Sequence, residues 1–205
     1  MIEKIIALLA GFIIATISRI GYGGVVLLMA IESACIPLPS EIIMPFAGYL
    51  VFTGEMELWA VAMAGAVGCV LGSLVAYYAG AWGGRPMVEK YGKYILVSAH
   101  DLVIADRWFQ RYGDITIFAG RLLPVIRTFI AFPAGISKMR MGRFVIYTFV
   151  GSYIWSWGLA WIGMKLGENW NTLGVYFHRF DALIGVILLA GLIWYIRRHF
   201  NRRGN

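Results

Sequence analysis

The sequence predicts an all-α polytopic membrane protein built as an inverted repeat. Each half is a re-entrant helical hairpin followed by a transmembrane helix, and further helices flank the pair. Three observations predict this. Of 205 residues, 60% are hydrophobic and only 14% charged, against about half and a quarter in soluble domains. Long uncharged stretches alternate with basic loops, the pattern of spans and cytoplasmic connections. Two further apolar stretches are interrupted by proline and charge at matching places.

Ile5–Ile17 is a short apolar run after Lys4. No small-x-small cleavage site follows it, so it reads as a retained helix rather than a signal peptide. Val25–Phe52 is apolar but holds Glu32, Glu41, Pro37, Pro39 and Pro45. Proline removes a backbone donor and breaks helices. A helix–break–helix with its tip buried in protein or lining a wet cavity fits this content better than a clean span. Leu58–Trp82 carries no formal charge and is long enough to cross about 30 Å of hydrocarbon. Its Gly68 and Gly72, with Ala64 and Ala76 nearby, suit close helix packing in lipid, within the chain or between copies in a homo-oligomer. Gly83–Gly113 is polar and basic; Ser98–Asp101 resembles a capping box, and the segment reads as an amphipathic helix on the cytoplasmic surface. Ile115–Ile136 is the second broken stretch, with Arg121, Arg127, Pro124 and Pro133. Phe144–Trp161, continuing towards Leu166, is a second clear span and carries Trp155, Trp157 and Trp161. Ala182–Ile196 ends in Trp194, Tyr195, Arg197 and Arg198, a membrane exit towards the cytoplasm.

Charge orients the map. Lys4, the loop basics from Arg85 to Arg111, the group Lys138, Arg140 and Arg143, and the tail from Arg197 to Arg203 all fall inside. Glu55 and Glu57 fall outside, and both termini are cytoplasmic. Both flanks of 115–136 are then cytoplasmic and both flanks of 25–52 external, which makes each segment re-entrant and the two of opposite sense. They align at an offset of 87 residues, Pro37 on Pro124 and Gly48 on Gly135, and the same offset carries Leu58–Trp82 onto Val145–Asn169. Inverted repeats of this kind place a binding site near the midplane of many secondary transporters. The chain therefore reads as one membrane domain over 1–205: an N-terminal half 1–82 with its hairpin near 25–52, a connector 83–113, and a C-terminal half 114–205 with its hairpin near 115–136.

Net charge is +7, but the basic residues are spread between spans, so a nucleic-acid partner is not expected. Cys35 and Cys69 lie in apolar segments and read as small buried side chains, with no disulfide framework or metal site. The costly residues are the four ionisable groups of the broken segments: Glu32 and Glu41 in one, Arg121 and Arg127 in the other. If the halves pack about a pseudo-two-fold axis, acids and bases meet near the midplane. Three readings stay open. The four can form structural ion pairs, which rarely stabilise more than apolar packing would. They can form a substrate and proton site, with carboxylates that exchange protons and forked guanidiniums that suit phosphate. They can be catalytic, but His100, His178 and His199 lie outside the broken segments, and no HExxH, GxSxG or phosphate-binding glycine loop is present. No metal or cofactor is expected.

These residues resemble a known family. Glu32, then Pro37, Pro39, Ser40 and Glu41, then Ala47 and Gly48, is similar to the first signature of the DedA family. Gly65 to Gly84 with Tyr77 and Tyr78 is similar to its glycine-rich helix. Phe118, Gly120, Arg121, Pro124 and Arg127, then Ala134 and Gly135, resembles its second signature. The resemblance covers about Glu32 to Phe144 and implies a bacterial inner-membrane transporter dependent on the proton motive force. It implies undecaprenyl phosphate, the lipid carrier of cell-wall synthesis, as substrate, with membrane lipids and protons as the other partners. Related proteins with the same core act as phospholipid scramblases. Arg121 and Arg127 would then bind phosphate, Glu32 and Glu41 would couple protons, and Pro37, Pro39, Ser40, Gly48, Gly120, Pro124 and Gly135 would shape the hairpins. Where the family often has Asp after Pro-Gly, this chain has Ser40 and Glu41, a carboxylate on a longer arm. A proton-coupled transporter of small ions or osmolytes, and a non-transporting scaffold, are the alternatives.

Overall fold

The computed structural model describes residues 2–36, 38–95, 115–123 and 126–167, with side chains omitted in 2–7 and 84–95. Pro37, Pro124, the expected capping box at Ser98–Asp101, the last helix Ala182–Ile196 and the three histidines lie outside the described residues. The described residues up to Lys165 form one compact unit, and among the described residues the secondary structure is helical throughout. In chain order the helices are α1 (Ile2–Ile20), α2 (Tyr22–Ser33), α3 (Ser40–Phe52), α4 (Leu58–Ile95), α5 (Ile115–Arg121), α6 (Ile126–Phe129), α7 (Ala131–Ile136) and α8 (Met141–Lys165).

Local chemistry sets most boundaries. Gly21, with φ +64°, donates to the Ile17 carbonyl and turns the chain from α1 into α2. The first broken segment parts between 34 and 39, where Cys35 takes a left-handed φ of +68° and Pro39 caps α3 with extended backbone. Pro45 does not break α3, contrary to the expectation from its side chain; it sits inside the helix with its backbone against Gly163. The second segment parts after Arg121, and Pro133 falls in the first turn of α7, where its missing N–H has no intrahelical partner to lose. α4 continues past Trp82 to Ile95, so the connector begins as an extension of the span rather than as a separate element.

Over Leu58–Gly83 and Met141–Lys165, α4 and α8 are each long and apolar enough to cross a membrane. They run antiparallel: Trp59 meets Trp157 (6.1 Å between ring centroids) at one end and Tyr77 meets Phe144 (4.8 Å) at the other. Their outward faces carry Val75, Trp82, Ile146, Val150 and Ile154, all exposed.

Small residues bring the other helices in. A Cβ on Gly68 or Gly72 would strike the Val26 or Ala30 carbonyl, so the GxxxG pair seats α2 on α4 within the chain. The broken segments make two further crossings that match. On α8, Gly163 faces the Pro45 backbone and Ala160 faces Gly48 of α3. On α4, Gly80 faces Phe132 and Tyr77 faces Gly135 of α7. Pro45 and Gly48 stand 87 residues before Phe132 and Gly135, as the sequence offset requires. Tyr77 and Gly80, however, stand 83 before Ala160 and Gly163, and α8 starts 83 residues after α4. The expected span Val145–Asn169 is therefore shifted to Met141–Lys165. The link from Gly135 to α8 is four residues shorter than that from Gly48 to α4, about one helical turn, which preserves the face presented.

Candidate functional site

The site forms where both broken segments end against the middle of α4 and α8. Glu32 is the last residue but one of α2, and Arg127 the second of α6. The fold brings them together: Arg127 Nη2 donates to Glu32 Oε2 at 3.0 Å, with both side chains almost wholly enclosed. The same nitrogen approaches Cys69 Sγ at 3.6 Å, and the guanidinium lies 5.2 Å from the centroid of the Trp155 ring. Cation–π contact of this kind holds a guanidinium without neutralising it.

Arg121, the last residue of α5, is 1% exposed. Its Nη2 donates to Ser73 Oγ at 2.5 Å, and Ser73 Oγ in turn donates to the Cys69 carbonyl at 2.5 Å. Gly151 makes room for it, since a Cβ there would lie 2.7 Å from the Arg121 Cβ. Among the described residues no carboxylate is within ion-pair distance of Arg121, and its Nε and Nη1 have no acceptor; neither has Arg127 Nη1. One buried carboxylate thus faces two buried guanidiniums that keep unused donors.

Glu41, in the first turn of α3, is half-buried and takes a hydrogen bond from Ser40 Oγ at 3.4 Å. It pairs with neither arginine, so the four ionisable residues gather beside the two breaks but do not form two ion pairs. Ser40 is enclosed and Pro39 is the α3 cap. Gly48 and Gly135 lie at the helix crossings, and Gly120 packs against Ile130 of the same broken segment. Cys35 donates weakly to the Thr128 carbonyl at 3.7 Å, linking the two breaks.

Three residues of this site were not singled out from sequence for a role beside the arginines: Ser73, Cys69, which read as a small buried side chain, and Trp155, which read only as part of a span. The available signal was spacing: Cys69 and Ser73 are four apart on the packed face of α4, so one helical turn touches both arginines.

Residues 38–165 match the VTT domain. Over 183 residues the chain is 37% identical to the uncharacterized membrane protein YkoX of Bacillus subtilis, covering 89% of this chain and 81% of that one. It is 34% identical over 168 residues to undecaprenyl phosphate transporter A of the same organism, covering 80% and 83%. It is also 34% identical over 203 residues to an alkaline phosphatase-like protein of Lactococcus lactis subsp. lactis, covering 94% and 95%. No solved structure matches the chain.

Proposed function

Since the chain belongs to the VTT-domain (DedA) family, we propose that it is a membrane transporter that flips undecaprenyl phosphate across the bacterial inner membrane, coupled to the proton motive force. The observation that carries this reading is Arg121: a fully buried guanidinium that, among the described residues, has no carboxylate beside it and two donor atoms unused. An uncompensated buried charge costs several kcal/mol, and a phosphate would offset it. Relatives named as undecaprenyl phosphate transporter A in two bacteria supply the substrate.

The contacts support the following cycle. The phosphate head group binds the free donors of Arg121 and Arg127 Nη1. While Glu32 is ionised it holds Arg127 Nη2, and the phosphate has only part of the fork. A proton on Glu32 weakens that pair and turns Arg127 fully to the phosphate; loss of the proton restores the pair and releases the head group. Glu41, free of an arginine, serves as the second proton carrier at the α3 end. The polyprenyl tail stays in lipid.

The matched crossings of α3 on α8 and α7 on α4 support an inverted repeat with two re-entrant hairpins, the architecture on which alternate exposure of one midplane site depends. Both termini are taken as cytoplasmic on the charge map. In this reading the chain is a transporter, not an enzyme. For the phosphatase-like name of a relative, Ser73 Oγ is the hydroxyl nearest the arginines to consider, and it is committed to the Cys69 carbonyl and Arg121.

The test is transbilayer movement of undecaprenyl phosphate in proteoliposomes, with wild type, Glu32→Gln and Arg127→Ala, with and without a pH gradient. Movement that needs both residues and responds to the gradient is expected. Gradient-independent movement would mark a scramblase. No movement by folded protein would redirect the reading to small ions or osmolytes, and release of inorganic phosphate would reopen the enzymatic one.

A further inference from the structure

The transport cycle leaves one feature of α8 unused. Thr148, Ser152 and Ser156 recur every fourth residue on its buried face and are 0%, 2% and 0% exposed. This spacing sets them in a row about 12 Å long on one side of the helix. A hydroxyl in such a place ordinarily bonds the carbonyl four residues earlier, as Thr16 does to Phe12 and Ser73 to Cys69. Thr148 Oγ1 and Ser156 Oγ have no partner among the described residues. Between them on the same helix, Gly151 rests against Arg121 and Trp155 lies by Arg127, and the Trp155 indole N–H is also without an acceptor. Further along, Ser156 abuts Gly65 of α4, beside Met44 of α3.

Six buried polar atoms without partners among the described residues therefore line one seam between α8 and its neighbours: Thr148 Oγ1, Ser156 Oγ, Trp155 Nε1, Arg121 Nε and Nη1, and Arg127 Nη1. Folded proteins leave few such groups unsatisfied, and here they cluster. A head-group phosphate can serve the arginine donors but not also the hydroxyls a turn to either side. Water can serve both, since each molecule donates and accepts and needs only two to four polar partners.

We propose that this seam holds a file of water that carries protons to and from the Glu32–Arg127 pair, with Thr148, Ser152 and Ser156 as its hydroxyl lining. The proposal rests on the proton-coupled reading given above. It explains why the row is hydroxyl-bearing on a helix whose opposite face is apolar.

The experiment places single cysteines at Thr148, Ser152 and Ser156 in the full chain in membrane vesicles, with Val150→Cys and Ile154→Cys on the exposed face as references. A small hydrophilic methanethiosulfonate is added, and modification is read by peptide mass spectrometry, which separates these sites from Cys35 and Cys69. Such reagents attack the thiolate, which forms in water and not in lipid. Expected labelling at positions 148 and 156 is at least about tenfold faster than at 150 and 154, although the latter are the exposed ones. Equal or slower labelling at all three seam positions would overturn the proposal. Position 152 serves where one of the end variants fails to fold. Labelling needs no transport, so a wet seam in a protein that moves no lipid phosphate would fail the transport reading and leave the water file standing. As a second measurement, Ser156→Ala and Thr148→Val keep shape and remove the hydroxyls. They are expected to reduce the response of transport to an imposed pH gradient several-fold; an unchanged response would remove protons from the proposal.

Discussion

The two broken segments carry opposite charges at corresponding places. Glu32 stands one residue before the end of the first arm of its segment and Arg121 ends the first arm of the other, while Glu41 and Arg127 each stand second in the arm after the break. Helix ends treat these positions differently. The C-terminal end of a helix is negative and the N-terminal end positive, so α2 disfavours an ionised Glu32 while α3 favours Glu41, and α5 favours Arg121. The ion pair that forms joins Glu32 to Arg127, and Glu32 is the acid that its own helix end does not stabilise. The dipole-favoured residues, Glu41 and Arg121, have no ion-pair partner among the described residues. A pair whose acid is opposed by its helix end is easier to open by protonation than one between two favoured residues. The difference teaches that the fold sets the Glu32–Arg127 pair apart from Arg121, a cation with no carboxylate in ion-pair distance among the described residues.

The largest test of this asymmetry is stability. Glu32→Ala strands Arg127 beside Trp155 and is expected to cost about 3–5 kcal/mol, read as a lower unfolding midpoint in detergent. Glu41→Ala breaks one long hydrogen bond and is expected to cost about 1 kcal/mol or less. The double change Glu32→Ala with Arg127→Met should recover most of the loss, because the buried charge goes with its partner. Equal costs for the two glutamates would dissolve the distinction between a paired and an unpaired acid.

The matched crossings offer the next test. Gly48→Val pushes into the Ala160 carbonyl and Gly135→Val into the Tyr77 carbonyl. Each is expected to cost about 1–3 kcal/mol, the scale of overpacking in a tight interface, and the two losses should be similar. Yield of monodisperse protein and its unfolding midpoint report this. A large loss at one crossing alone would mean that the two segments are seated by different contacts.

Much of this arrangement was legible in the residues. The breaks near Pro39 and after Arg121, the charge-free span of α4, and the four costly ionisable groups stood out because apolar surroundings make charge and proline conspicuous. What stayed hidden has physical causes. Pro45 reads as a breaker, yet a helix packed against a glycine can carry it. The start of α8 moved by one turn because a four-residue deletion keeps the helix face and leaves no trace in the apolar pattern. Ser73 and Cys69 are small enough to pass for packing residues. Trp155 belongs to a run with Trp157 and Trp161, and only the helix phase tells which of them turns towards Arg127.

A smaller effect separates the two arginines. Both rely on a fork rather than a point charge, so Arg121→Lys and Arg127→Lys should each lower transport about tenfold or more, equivalent to about 1.4 kcal/mol. Arg121→Lys is expected to leave stability nearly unchanged, since no carboxylate depends on it, whereas Arg127→Lys should keep the Glu32 attraction and lose the ring contact. Unchanged transport in Arg127→Lys would favour a scaffold over a transporter.

The smallest expected effect is also the most specific to Arg121. Ser73 accepts from Arg121 and donates to the Cys69 carbonyl, so it fixes where the unused Arg121 donors point. Ser73→Ala removes that acceptor and leaves the charge, the helix and the other arginine in place. The net worth of one such bond is about 1 kcal/mol, so half-saturation by lipid phosphate should rise about fivefold while the maximal rate changes little. Ser73→Thr keeps the hydroxyl and should restore the wild-type value if its extra methyl group fits beside Arg121. The split between the two kinetic parameters is the decisive readout, because a merely destabilised protein would lose active molecules and hence maximal rate at constant half-saturation. If Ser73→Ala lowers only the maximal rate, Arg121 is held by the surrounding helices without help from Ser73, and its placement is a property of the fold rather than of one hydroxyl.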